Sequence, residues 1–207
     1  AREIAGTLGE VRGEIGDGKQ AWFHNGLDVV GGYGETARVV RTEKILRPLA
    51  TDLFGTQREN VRFPTLGYIH LRLGRDKDNQ PFDDARFQFS KDANGELNDV
   101  RLRRGTKFEA GDAIGTLNSM NHVHLIAGRS GHEWNALSAL LLPGVSDKIP
   151  PVIESVTLFD ENWQAIDLPA ETQKENSRIT VRGKVRIVVR SYDRMNGNAE
   201  RRRLGIY

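Results

Sequence analysis

Alternation is the strongest constraint on what this chain can fold into. In one short stretch after another, polar and apolar residues swap with a period of two, and glycine-bearing turns separate the stretches. Strands place successive side chains on opposite faces, so runs of this kind specify half-buried strands rather than helices. Residues 4–12, 66–73 and 100–104 read this way, 36–46 as one or two strands, and 111–117 as a turn and short strand. The best helical window is 135–142, ended by Pro143-Gly144, and 47–64 reads as a long loop with one short helix near 49–54. The expected fold class is therefore mainly β: an antiparallel, folded-over sheet forming a barrel-like sandwich.

Composition narrows the function classes. Hydrophobic residues at 38% and charged residues at 28% support a packed core and argue against disorder. A net charge of +2 falls short of the basic stripe of a nucleic-acid binder, so nucleic acid is not an expected partner. With no cysteine, disulfides, zinc knuckles and thiol catalysis are excluded, and any metal must be held by His, Asp or Glu. No apolar run reaches the length of a membrane span, so the chain is not expected to span a membrane. No charged-then-apolar leader pattern is read at Ala1-Arg2-Glu3, and an exported protein after processing would read the same.

Residues 147–151, with Pro150-Pro151, read as a linker between two units, 1–146 and 152–207. The second has strand patterns at 152–159, 165–168 and 179–190. It resembles an Ig-like β-sandwich but is shorter than the roughly 100 residues such a domain needs, so the chain is expected to be a fragment of a longer protein. Arg201-Arg202-Arg203 reads as a solvated turn between strands. Residues 75–99 form a polar insertion with a hairpin at Asn94-Gly95, expected outside the main core. Its Asp76-x-Asp78-x-Gln80 start fails as a calcium loop, because Pro81 and Phe87 occupy the glycine and glutamate positions.

The five histidines, at 24, 70, 122, 124 and 132, carry the functional signal. In Asn121-His122-Val123-His124-Leu125 the two imidazoles sit at i and i+2 and face the same side of a strand. His70 is expected on a polar strand face with Tyr68 and Arg72, opposite Ile69, Leu71 and Leu73. His24 and Asp28 in a straight strand would be roughly 13 Å apart at about 3.3 Å per residue. Two ligands of one tetrahedral zinc lie roughly 3.4 Å apart. The turn dipeptide Asn25-Gly26 supplies the bend that could close this gap. His132 has no partner at useful spacing and reads as a loop residue.

Taken in order, Phe23-His24-Asn25-Gly26-Leu27-Asp28-Val29, Tyr68-Ile69-His70-Leu71, Gly111-Asp112-Ala113-Ile114-Gly115 and His122-Val123-His124-Leu125 resemble the lysostaphin-like zinc endopeptidases, which cleave the peptide cross-links of bacterial peptidoglycan. Gly9-Glu10-Val11-Arg12 is similar to that family's Gly-Glu-x-Arg strand. The resemblance covers about residues 4–127 and departs around the closing motif, where Asn118-Ser119-Met120-Asn121 lead in and Ile126-Ala127 lead out. It implies a duplicated hybrid motif fold, an exported enzyme, Zn2+ held by His24, Asp28 and His124, and His70 and His122 as the catalytic pair that orients water and stabilises the oxyanion.

The chemistry is coherent in its own right. Three protein ligands leave a fourth position for water, whose pKa falls to about 7 in such sites, and neutral imidazoles can move its proton. Two alternatives remain open: a non-hydrolytic wall-binding or regulatory module of the same fold, and a zinc peptidase acting on proteins.

Overall fold

A computed structural model of the chain describes residues 2–13, 20–47, 49–167, 178, 180–196 and 204–205. In chain order the strands are β1 (Ile4–Gly6), β2 (Val11–Arg12), β3 (Trp22–Phe23), β4 (Leu27–Val30), β5 (Thr36–Arg38), β6 (Glu43–Lys44), β7 (Thr51–Asp52), β8 (Asn60–Arg62) and β9 (Leu66–Ile69). They continue with β10 (Leu71–Leu73), β11 (Phe87–Lys91), β12 (Leu97–Leu102), β13 (Lys107–Phe108), β14 (Ala113–Leu117), β15 (His122–Arg129), β16 (His132–Glu133), β17 (Val152–Phe159) and β18 (Arg186–Tyr192). The architecture is all-β, as the alternation requires, and every strand pairing is antiparallel. None of the described helices is long and apolar enough to cross a membrane.

A seven-stranded sheet in the order β1-β4-β15-β9-β8-β7, with β16 added to β15, shares one core with the three-stranded sheet β10-β14-β5. The sheets do not close into a barrel. Leu27 and Leu125 pair across β4 and β15 and are buried, as are Tyr68, Leu71, Leu73 and Ile114. The opposite face of β4 and β15 carries Asp28, His122 and His124.

Several local expectations change. Residues 4–12 do not form one strand: Gly9, at φ +84°, makes a turn between β1 and β2. No helix forms at 49–54, where β7 and a turn stand instead. The 135–142 helix is reduced to one turn, α1 (Ala136–Ala139), capped by the Asn135 side chain accepting from the Leu137 N–H. The hairpin in 75–99 is present as β11 and β12, yet its base is not outside the core: Phe87, Val100 and Leu102 are buried.

The 66–73 run is the most informative correction. It breaks into β9 and β10 at His70, whose φ of +73° puts one left-handed residue between the two strands. That single residue slips the alternation. Leu66 and Tyr68 point inward before it, Leu71 and Leu73 after it, so Tyr68 is a core residue and not a member of the polar face. Its hydroxyl accepts from the Val40 N–H at 3.1 Å, and burial pushes its pKa up to about 12.

Beyond the extended 147–151 segment, β17 and β18 pair along their length. Of the strand expected at 165–168, Ala165 makes an isolated bridge to Phe159, and Leu168 lies outside the described residues. Of the strand expected at 179–190, residue 179 lies outside the described residues, 180–185 are not in a strand, and β18 begins at Arg186. The arginines at 201–203 and most of the Gly13 turn, residues 14–19, also lie outside the described residues.

Candidate metal centre

His24 ends the short β3 ribbon, the chain bends at Gly26, and Asp28 follows as the second residue of β4. Gly26 is required there, because a Cβ would stand 2.7 Å from His124 Nε2 and 2.8 Å from the Leu125 carbonyl oxygen. Asp28 is the direct cross-strand partner of His124 in β15. Adjacent strands thereby bring together groups about a hundred residues apart. His24 Nε2 lies 3.1 Å from Asp28 Oδ1 and 3.0 Å from His124 Nδ1, and His124 Nδ1 lies 2.8 Å from Asp28 Oδ1. All three residues are buried. The spacing is close to the roughly 3.4 Å between ligands of one tetrahedral ion.

The surrounding hydrogen bonds determine which atoms face inward. His24 Nδ1 donates to the Thr7 carbonyl at 2.8 Å, which leaves Nε2 as the inward lone pair of the neutral ring. His124 is turned the other way: Nε2 donates to Asn25 Oδ1 at 3.2 Å and Nδ1 faces inward. Arg12 donates to Asp28 Oδ2 at 3.3 Å and leaves Oδ1 free to face both rings.

Two ring nitrogens and one carboxylate oxygen thus crowd one point, an arrangement that a positive charge held between them, proton or metal cation, stabilises. Charge balance in the protein alone expresses this demand. Burial opposes the Asp28 charge, yet hydrogen bonds from His124 and His24 hold its carboxyl far below the usual carboxylate range. Burial likewise opposes charge on His24, yet the hydrogen bond and charge of Asp28 outweigh it and raise that pKa. The donor set fits a metal ion.

No family model, curated protein or solved structure matches the chain. The site therefore stands on its own geometry.

His70 and His122 lie beside the cluster with their rings 4.7 Å apart, and His70 is 6.1 Å from His124, centroid to centroid. His70 Nδ1 donates to the Gln57 carbonyl and His122 Nδ1 to the Met120 carbonyl, each at 2.7 Å. In both rings Nδ1 is thus the nitrogen used for the backbone bond, and His122 turns Nε2 toward the cluster, 3.6 Å from Asp28 Oδ1. Burial, reinforced by the neighbouring His122, pushes the His70 pKa down despite the Gln57 bond, so the ring is neutral at pH 7. His132 sits apart, exposed on β16.

Glu10 and Arg12 are the outer support of the site. Glu10 accepts from Arg12 Nε at 3.0 Å and from the Thr7 N–H at 2.8 Å, fixing both the guanidinium that holds Asp28 and the turn whose carbonyl holds His24. Gly115 acts elsewhere: a Cβ there would meet the Arg72 carbonyl oxygen at 2.3 Å, so it serves the close approach of β14 to β10. Two supports escape a reading of the sequence. Asn25 is visible there only as a turn residue. Gln57, on the 47–64 loop, has no local signal at all, because its contribution is a backbone carbonyl.

Proposed function

We propose that this chain is an exported zinc endopeptidase that hydrolyses peptide cross-links of bacterial peptidoglycan, with His24, Asp28 and His124 as zinc ligands. The observation that carries the reading is the convergence of two imidazole lone pairs and one carboxylate oxygen within 3.1 Å, beside two further imidazoles. A nitrogen-rich set with one carboxylate suits zinc better than calcium or magnesium, which favour all-oxygen sites. When bound, zinc supplies a Lewis acid and a water acidic enough to react at neutral pH.

The protein's own groups supply the rest. His70, kept neutral, takes the proton of the attacking water at Nε2. His122, its ring 4.7 Å from that of His70, helps to orient that water and stabilises the oxyanion that forms as the peptide carbonyl is attacked. Arg12 keeps Asp28 oriented throughout. Both His70 and His122 are only partly buried, which favours this reading over a non-hydrolytic module whose groove is covered.

The test is the zinc content of the purified chain and its release of new amino termini from purified peptidoglycan. The wild type is expected to carry zinc and cleave, and His124→Ala to lose both. Full activity in that variant would end the proposal.

A further inference from the structure

A cavity of about 420 Å³ adjoins the metal site on the His70 side. Gln57 and Asn118 line it, and both hold His70. The Gln57 carbonyl accepts from His70 Nδ1 at 2.7 Å and from the Asn118 side-chain amide at 2.9 Å, and the Asn118 N–H donates to the His70 carbonyl at 3.1 Å. Ser119 lines the cavity too, and its hydroxyl accepts from Gln57 Nε2 at 3.0 Å. The residues that fix the His70 ring are thus also the wall of the cavity.

The charge of this wall is not balanced. Two cations line it, Arg72 and Arg75, against one carboxylate among the described residues, Glu59. Arg75 takes that carboxylate for itself, with two contacts of 2.7 Å between side chains that are each 2% exposed. Arg72 is left over. Its one side-chain hydrogen bond among the described residues runs from Nη2 to the Tyr33 hydroxyl at 2.7 Å, and no ion pair among them includes it. Its Nε is shut away from solvent with no partner. The Tyr33 ring, 5.2 Å from the guanidinium carbon, helps to anchor the group. A cation partly withdrawn from water and incompletely paired is unfavourable, and an anion brought beside it offsets that cost.

We propose that this cavity takes a free carboxylate of the substrate peptide, with Arg72 as its counter-ion. The inference rests on the endopeptidase reading for the peptide, and on the cavity's own charge for the carboxylate. His70 and Arg72 are two residues apart, at most about 7 Å between Cα atoms, so a peptide whose scissile carbonyl lies at His70 reaches Arg72 with a group a few residues away. One unpaired guanidinium among neutral amides and hydroxyls suits a singly charged, planar anion. A phosphate dianion would call for a second free cation, and Arg75 is already occupied by Glu59.

The experiment uses the full chain with Arg72→Met and Arg72→Lys, both checked by thermal melting. The wild type is expected to favour a cross-link peptide with a free C-terminal carboxylate over its C-terminal amide by about tenfold in kcat/KM, chiefly through KM. That ratio is expected to fall to about one in Arg72→Met and to be partly kept in Arg72→Lys. Calorimetry with N-acetyl-diglycine and its amide reads the same preference without hydrolysis. A preference that persists in Arg72→Met places the carboxylate on another group, the metal included, and overturns the assignment; so does displacement of the acid by inorganic phosphate at lower concentration than by acetate. An inactive chain that binds the acid through Arg72 would refute the endopeptidase reading and leave the carboxylate site standing, whereas an active chain indifferent to acid and amide would do the reverse.

Discussion

The Arg12 guanidinium donates to Asp28 Oδ2 at 3.3 Å, so only Oδ1 of that carboxylate faces His24 and His124. The arrangement presents a single oxygen of Asp28 to the cluster, where the hydrogen bonds of His124 and His24 hold the carboxyl ionised. Replacing Arg12 with Met is expected to weaken metal affinity by about 10- to 100-fold, the usual effect of losing an outer partner of a ligand. Competition with a chromogenic chelator measures it, and unchanged affinity would show that Arg12 does not act through Asp28.

Gly26 lets the β3–β4 bend pass beneath His124. An added methyl collides with Nε2 of that ring and with the Leu125 carbonyl, so Gly26→Ala is expected to cost about 1–3 kcal/mol, as overpacking usually does. Gly32→Ala, whose Cβ would meet nothing within 4 Å, is expected to stay within about 0.5 kcal/mol of wild type. Chemical denaturation of the two variants side by side makes the comparison.

Glu59 and Arg75 form a pair whose side chains are each 2% exposed, with two contacts of 2.7 Å. Glu59 also accepts from the N–H groups of Gly55 and Leu73, which clamps the loop carrying Gln57 against β10. Glu59→Gln strands the Arg75 charge and is expected to destabilise the fold by about 3–5 kcal/mol. If the loop does position His70, hydrolysis should fall further than the fraction of folded protein while bound zinc per folded molecule is retained.

Acid stability should depend on Arg86. Its hydrogen bonds lower the pKa of Asp84 and of Asp112. Carboxylates with depressed folded-state values contribute stability in full above their unfolded pKa, about 3.9, and lose it as pH falls through the lower folded value. Asp84→Asn should therefore reduce stability at pH 6 and flatten the loss below about pH 4. Melting curves across that range test the sign, and an acid limb as steep as wild type would contradict it.

Much of this was legible in the residues. The β class followed from alternation, and His122 and His124 share a face because a period of two is a property of the backbone itself. The Asn25-Gly26 bend and the β11–β12 hairpin were readable from turn dipeptides for the same local reason. The phase of 66–73 was not readable, since any of several residues could have adopted the left-handed geometry that His70 takes.

What the chain's order of residues determined is therefore local: which side chains look the same way and where the backbone turns. Tertiary structure alone decided that Asp28 pairs with His124, that Asn25 turns His124 so Nδ1 faces inward, and that a carbonyl from the distant 47–64 loop sets the tautomer of His70. The physical reason is that strand register and backbone hydrogen bonds between distant segments arise only when sheets assemble. A carbonyl oxygen, present on every residue, leaves no mark in the sequence of the one place where it is needed.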